Sequence, residues 1–456
     1  MCPHDHAITR REAIALGLGT AAALALPRTA RASFAAPLTD LEVAHRAARW
    51  IRRSRVETPN GVTWPADPLK PASVRYDLYN GQPGIIVFYL EMYHTTGDRT
   101  WLEDARRGAD ELVAQLPALD AAKMAGLYEG LGGAAFVLEE THRATGEGKY
   151  RDAAKRAVAM IHAQAQRAGA GVAWTGGSAA NDIISGSAGI GLTLLWADRT
   201  LGDRASRELA AAAGKRLVEV GIAKRGGTKW NVAPGVKQLY PNFSHGTGGV
   251  AYFLATLHQA TGERAFLDAA LSGATYLEAA ANGDAGGFKV FHHEPGGEDL
   301  YYLSWCHGPA GTSRLFYRLG EITHDQRRQG LMGRAARATM AMGVPEQQSP
   351  GYWNNISQCC GNCGVGEYFL ALDRVMPSDT YRSMVRRVAT NTLTRATEDG
   401  DGLKWIQAEN RVSPNDVVAQ TGYMQGAAGV GSFYLHADAA AKGRKSPIVW
   451  PDSPFV

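Results

Sequence analysis

Seven times along the chain a G-x-x-G step opens a run of apolar residues. The runs are GQPGIIVFYL from Gly81, GLGGAAFVL from Gly130, GSAGIGLTLL from Gly186, GTGGVAYFL from Gly246, GPAGTSRLFY from Gly308, GNCGVGEYFL from Gly361 and GAAGVGSFYL from Gly426. They are small, apolar and nearly uncharged, which predicts helices buried on every face. After most of them comes a turn signal and a charged amphipathic stretch: TGDRTWLEDA from Thr96, TGEGKYRDAA from Thr145, LGDRASRELA from Leu201 and TGERAFLDAA from Thr261. Glycine ends one helix and the following Asp, Glu or Ser starts the next. Each repeat therefore predicts a helical hairpin with one inner and one outer helix.

Seven such hairpins closing on themselves predict an all-α fold, an α/α toroid with an inner and an outer helix ring. An open solenoid would need polar capping repeats, and both end copies are ordinary. A helix over 41–55 is expected to be the outer partner of the first copy. The connections GVTWPADP (61–68), GVAWTGGS (171–178), GTKWNVAP (227–234) and GLKWIQAE (402–409) each carry a Trp and suit short rim strands. Those Trp residues would either line a binding rim or pack. No composition shift marks a linker, so residues 33–456 are expected to form one domain.

Because the glycine pairs open the inner helices, all seven mark the same end of the ring. The residues just before them, Asn80, Glu129, Ser185, His245, His307, Cys360 and Gln425, should converge at that mouth.

Residues 1–32 read as an export leader: Arg10-Arg11 before an apolar stretch at 13–26, then Ala30-Arg31-Ala32 as a cleavage site. This is the twin-arginine pattern, which exports folded proteins to the periplasm or beyond. The apolar stretch is too short to span a bilayer, so no membrane insertion is expected once the leader is removed. With 48 Lys and Arg against 44 Asp and Glu, the charge balance gives no support for nucleic-acid binding.

Four of the five cysteines cluster as W-C-H-G at 305–308 and C-C-G-N-C-G at 359–364. They suit either a soft-metal site or disulfides such as Cys306–Cys359 and Cys360–Cys363. Cys306 precedes copy five, while Cys359 and Cys360 precede copy six, so three sulfurs meet at the mouth. Export after folding would let zinc be loaded in the reducing cytoplasm, which favours the metal. Three protein ligands would leave a fourth position open, the pattern of a catalytic zinc. Cys363, a helical turn further on, is the substitute third ligand or a small buried residue.

The seven hairpins together with SHGTGG, WCHGPAG and the cysteine pair before G-x-x-G resemble the lanthionine synthetase C-like proteins, over essentially the whole chain beyond the leader. The resemblance implies one zinc per chain on Cys306, Cys359 and Cys360, with Cys360 standing where the family usually has a histidine. It implies that zinc binds a substrate thiol, which adds to a dehydroalanine or dehydrobutyrine to give a thioether, as in peptide cyclisation. His245 is implied as general acid or base, Asp182 as the residue orienting it or the substrate, and His307 as a proton-transfer candidate beside the metal. Bacterial cyclases often carry an Arg a turn before the first zinc cysteine, where this chain has Tyr301 and Tyr302. The expected partner is a peptide or a small thiol; no dehydratase region is read in the chain, so a dehydrated peptide would come from elsewhere. Two rival functions follow from the same residues. One is a carbohydrate-active toroid using the rim Trp residues with Asp182, Glu129 and Glu409. The other is a non-catalytic zinc-containing peptide-binding protein.

Overall fold

Burial separates the two kinds of helix as their composition requires. A computed structural model describes residues 38–233, 235–283 and 286–455; the leader expected at 1–32 lies outside the described residues. The first helix, α1 (Asp40–Arg53), is amphipathic and opens on a Thr39/Glu42 capping box. The glycine pairs then open the inner helices α2 (Gln82–Thr96), α4 (Leu131–Thr145), α6 (Ser187–Leu201), α8 (Thr247–Thr261), α10 (Pro309–Thr323), α12 (Asn362–Val375) and α14 (Ala427–Ala441). Between them lie the outer helices α3 (Arg99–Ala121), α5 (Gly148–Gln164), α7 (Arg204–Glu219), α9 (Arg264–Ala280), α11 (Gln326–Ala341) and α13 (Asp379–Thr394). The turns from inner to outer helix pass through glycines such as Gly97 (φ 73°) and Gly262 (φ 75°), whose left-handed backbone ends the inner helix.

Closure is written in the backbone. Tyr79 N–H donates to Tyr128 C=O (3.1 Å), Tyr128 N–H to Ile184 C=O (2.9 Å) and Ile183 N–H to Ser244 C=O (3.0 Å). Ser244 N–H continues to Cys306 C=O (2.8 Å), Cys306 to Cys359 (3.0 Å), Cys359 to Met424 (3.0 Å), and Met424 back to Tyr79 (2.7 Å). Each of these residues sits at or next to the position two before a glycine pair, so the seven pre-helix loops form one hydrogen-bonded circle. The inner helices follow it round, with α14 packing on α2.

The closure corrects one expectation. The N-terminal helix α1 packs on α14 as the outer partner of the seventh copy, and the first inner helix pairs with α3. Among the described residues every inner helix is followed by its own outer helix across a short turn except α14, whose flank is covered by α1.

Glycine is required where a loop wraps over its own helix. Thr247 N–H donates to Tyr240 C=O (3.2 Å), and a Cβ on Gly246 would lie 1.6 Å from that same carbonyl oxygen. Gly246→Ala is therefore predicted to destabilise the fold by roughly 3 kcal/mol or more. Denaturant unfolding measures it, and a variant within ~1 kcal/mol of wild type would contradict this account. Further along the inner helices, Gly191 and Gly431 receive the rings of Phe253 and Phe88 from neighbouring helices, where a Cβ would stand 2.2 and 2.3 Å from ring atoms.

Among the described residues the rim carries six two-stranded antiparallel ribbons. The rim tryptophans pack: Trp64, Trp174, Trp230 and Trp405 are all buried. Three of them donate their indole N–H to the last turn of an outer helix, at Ile161 C=O (3.0 Å), Leu217 C=O (2.7 Å) and Thr392 C=O (2.9 Å). They are C-terminal caps and offer no stacking surface for a sugar.

The C-terminal segment returns into the ring. Trp450 lies 4.6 Å from the Tyr423 ring and 5.8 Å from Tyr128. Buried Asp452 accepts from Tyr128 Oη (3.0 Å) and Arg314 Nη1 (2.7 Å). A cavity of about 570 Å³ remains between this segment and α10, α12 and α14, and no thiol lines it. No helix among the described residues is long and apolar enough to cross a membrane.

Candidate metal and thiol site

The loop circle sets the site. Cys306 and Cys359 are consecutive links of it, held by the Cys306 N–H to Cys359 C=O bond (3.0 Å), and Cys360 follows at once. Their side chains meet: Cys306 Sγ is 3.3 Å from Cys360 Sγ, which is 3.4 Å from Cys359 Sγ. All three sulfurs lie within 4.8 Å of one another, and they form the one His/Cys/Asp/Glu group among the described residues that is arranged to hold a metal. The spacings are far beyond a disulfide's S–S length of about 2 Å, and none of the four described cysteines is joined in a disulfide. Cys363 stands outside the trio; it is fully buried, and burial holds its thiol well above the ordinary range.

Two further features favour negative charge on these sulfurs. The inner helices present their N-termini to the mouth, with the positive end of each dipole towards it. In addition, Tyr79 Oη donates to Cys359 Sγ (2.9 Å), itself receiving Gln425 Nε2 (3.0 Å). Tyr79 went unnoticed in the sequence, although it stands two residues before its glycine pair, the register of Cys306 and Cys359.

The neighbouring quadrant holds an acid–imidazole pair. Asp182 Oδ1 accepts the backbone N–H groups of Ser185 (3.1 Å) and Gly186 (2.9 Å). Its Oδ2 meets His245 Nδ1 at 2.5 Å, and both side chains are buried. An ionised Asp182 accepts here, which places a proton on His245 Nδ1. His307 lies with its ring 5.6 Å from that of His245. The residues expected at the mouth thus gather there, Glu129 included: burial, then the nearby Asp77 and Asp182 charges, raise its carboxyl above the usual range.

Residues from the longer loops complete the mouth and carried no periodic signal. His292 lies 4.3 Å from His307 and 4.2 Å from Tyr302, ring to ring. Tyr302 in turn packs on Trp353 at 5.2 Å. Burial, with the charges of His293 and Arg411, holds His292 well below the ordinary imidazole range, so it is neutral. Of the carboxylates suited to sugar hydrolysis, Asp182 is committed to His245 and Glu409 accepts from Gln420 Nε2 (2.6 Å).

Comparison with known proteins agrees with this architecture. Residues 72–452 match the family model of the lanthionine synthetase C-like proteins. Among solved structures, nisin cyclase is similar at 15% identity and a TM-score of 0.62, covering 87% of this chain and 93% of its own. A Listeria innocua protein is similar at 13% identity and a TM-score of 0.50, covering 90% and 99%. At such identities the likeness is one of fold. A search of curated proteins finds no match.

Proposed function

The chain belongs to the lanthionine synthetase C-like family, and on that premise we propose that it is a zinc-dependent enzyme joining a substrate thiol to the β-carbon of a dehydroamino acid or similar electrophile. The observation that carries this reading is the trio of Cys306, Cys359 and Cys360, with sulfurs within 4.8 Å of one another, set beside the Asp182–His245 pair. Three soft donors this close repel as thiolates unless a cation lies among them, and the set suits a tetrahedral soft ion with one position open. Held there, one zinc ion per chain supplies the positive charge that keeps an incoming thiol deprotonated at neutral pH.

The chain's own residues handle protons and position. Tyr79 fixes the Cys359 sulfur through its hydroxyl. Asp182 holds the His245 Nδ1–H tautomer, so His245 takes the thiol proton at Nε2 and becomes an imidazolium stabilised by that carboxylate. The sulfur lone pair then forms the C–S bond while the C=C π pair moves towards the α-carbon and its carbonyl. His245 returns the proton to the α-carbon, and nothing is oxidised or reduced. His307, 5.6 Å from His245, is placed to assist that transfer. The burial of these side chains keeps competing water from the proton path.

With residues 1–32 read as a twin-arginine leader and 33–456 as one domain, the enzyme would act outside the cytoplasm on a peptide or small thiol. Its test is thioether formation from a cysteine peptide containing dehydroalanine, with the zinc-loaded protein, followed by free-thiol titre and mass. We expect conversion well above the protein-free rate. A rate equal to that control would leave only a peptide-binding role.

A further inference from the structure

We infer that Tyr79 is the positioning residue that lets this centre accept a fourth thiolate, by drawing charge from the Cys359 sulfur through its hydroxyl; this rests on the zinc and thiol reading given above. Three thiolates carry one charge more than a zinc ion neutralises, and a substrate thiolate adds another. Along the trio the sulfurs lie 3.3 and 3.4 Å apart, and Cys306, Cys359 and Cys360 are all buried. At that separation, away from water, the repulsion between sulfurs is strong. A hydrogen bond to one of them offsets it, and such bonds around a cysteine sulfur tune what the metal will bind. The Tyr79 hydroxyl, 2.9 Å from Cys359 Sγ, is placed to make that bond.

A chain of neighbours fixes the direction of the bond. Asn355 Oδ1 accepts from Ser357 N–H (3.0 Å) and Ser357 Oγ (2.6 Å). Asn355 Nδ2 therefore faces Ala408 C=O (3.0 Å) and Gln425 Oε1 (3.4 Å). That turns Gln425 so that its Nε2 donates to Tyr79 Oη (3.0 Å). With its oxygen accepting there, the Tyr79 hydroxyl gives its own proton to Cys359 Sγ. The chain starts on the loop that carries two of the thiols, where Ser357 Oγ also accepts from Cys360 N–H (3.2 Å). Asn355, Ser357, Gln425 and Tyr79 are all buried, and linked hydrogen bonds in such surroundings reinforce one another. The Tyr79 main chain is held as well, its N–H by Tyr128 C=O (3.1 Å) and its C=O by Met424 N–H (2.7 Å). Tyr79 comes from the first repeat, Gln425 from the seventh and the thiols from the fifth and sixth, so ring closure assembles the device. A hydroxyl held this way acts through charge, and it favours an anionic fourth ligand over a neutral one.

Cobalt(II) stands in for zinc in the test, because its sulfur-to-metal charge transfer absorbs light. Cobalt-loaded wild type and Tyr79→Phe are titrated with N-acetylcysteine methyl ester, which binds as a thiolate, and with imidazole, which binds neutral. In Tyr79→Phe the thiol is expected to bind about ten- to a hundred-fold more weakly, as for a lost hydrogen bond to a charged group. Imidazole is expected to bind as it does to wild type. The charge-transfer band of the variant should also lie at longer wavelength, since its sulfurs keep more electron density. Gln425→Leu retains the tyrosine but removes what turns its hydroxyl, so a smaller thiol-selective loss is expected; it carries the test if Tyr79→Phe does not fold. Thiol affinity equal to wild type in the variants, or an equal loss for thiol and imidazole, overturns the inference and leaves the thiol-binding metal centre standing. A wild type that takes up no cobalt, or takes it up and binds no thiol, overturns the reading of the centre and the inference with it.

Discussion

Cys306→Ala is expected to bind zinc at least ~100-fold more weakly than wild type, because loss of a ligand costs no less than loss of an outer partner. Purified variant should hold well under one equivalent, with thioether formation at the uncatalysed rate. The variant should still fold. Cys306 contributes to the loop circle through backbone N–H and C=O alone, which alanine keeps, and the lost sulfur leaves only a small void. Stability supplies a readout independent of activity. Metal that binds only the folded state stabilises it by about 4 kcal/mol at a thousand-fold excess over Kd. A chelator should therefore lower the melting temperature of wild type and leave Cys306→Ala unmoved. Full zinc occupancy in the variant would remove Cys306 from the ligand set, and a chelator-insensitive wild type would count against the metal itself.

His245→Ala should leave zinc content near wild type, with some loss of melting temperature because the buried Asp182 Oδ2 loses its partner. It should lower kcat for thioether formation by roughly 10²–10⁴, the usual worth of a positioned acid–base group. Asp182→Asn should act in the same direction for a different reason. The asparagine oxygen can still accept from Ser185 and Gly186, as Asp182 Oδ1 does, but its amide would donate to His245 Nδ1. The imidazole proton would then move to Nε2, the atom that must take the thiol proton. Steady-state kinetics on the zinc-loaded variants measures both, and rates equal to wild type in His245→Ala would sink its assignment.

Much of this site was legible in the chain because a repeat converts sequence position into spatial position. Once Gly246, Gly308 and Gly361 are known to open parallel inner helices, His245, His307 and Cys360 must lie at one mouth, and Cys306 and Cys359 just behind them. Asp182 lay outside that register and came only from the resemblance to the family. Tyr79 was within reach of that argument too, at the register of the two cysteines, but a lone tyrosine among apolar neighbours reads as core. His292 and Trp353 were out of reach. They come from connections of unequal length, where no period links residue number to direction.

By itself the sequence determined the number of hairpins, which helix of each faces inward, and the common end at which the thiols and histidines collect. Those follow from local rules: small apolar runs bury, glycine pairs admit a close loop, and charged amphipathic stretches face water. Only the tertiary structure decided that α1 completes the seventh hairpin and that the C-terminal segment fills the ring with Trp450 and Asp452. Each of these joins residues far apart in the chain. Such contacts are selected by which vacant surface or unmet charge remains after the repeats have closed, and no local pattern records that remainder.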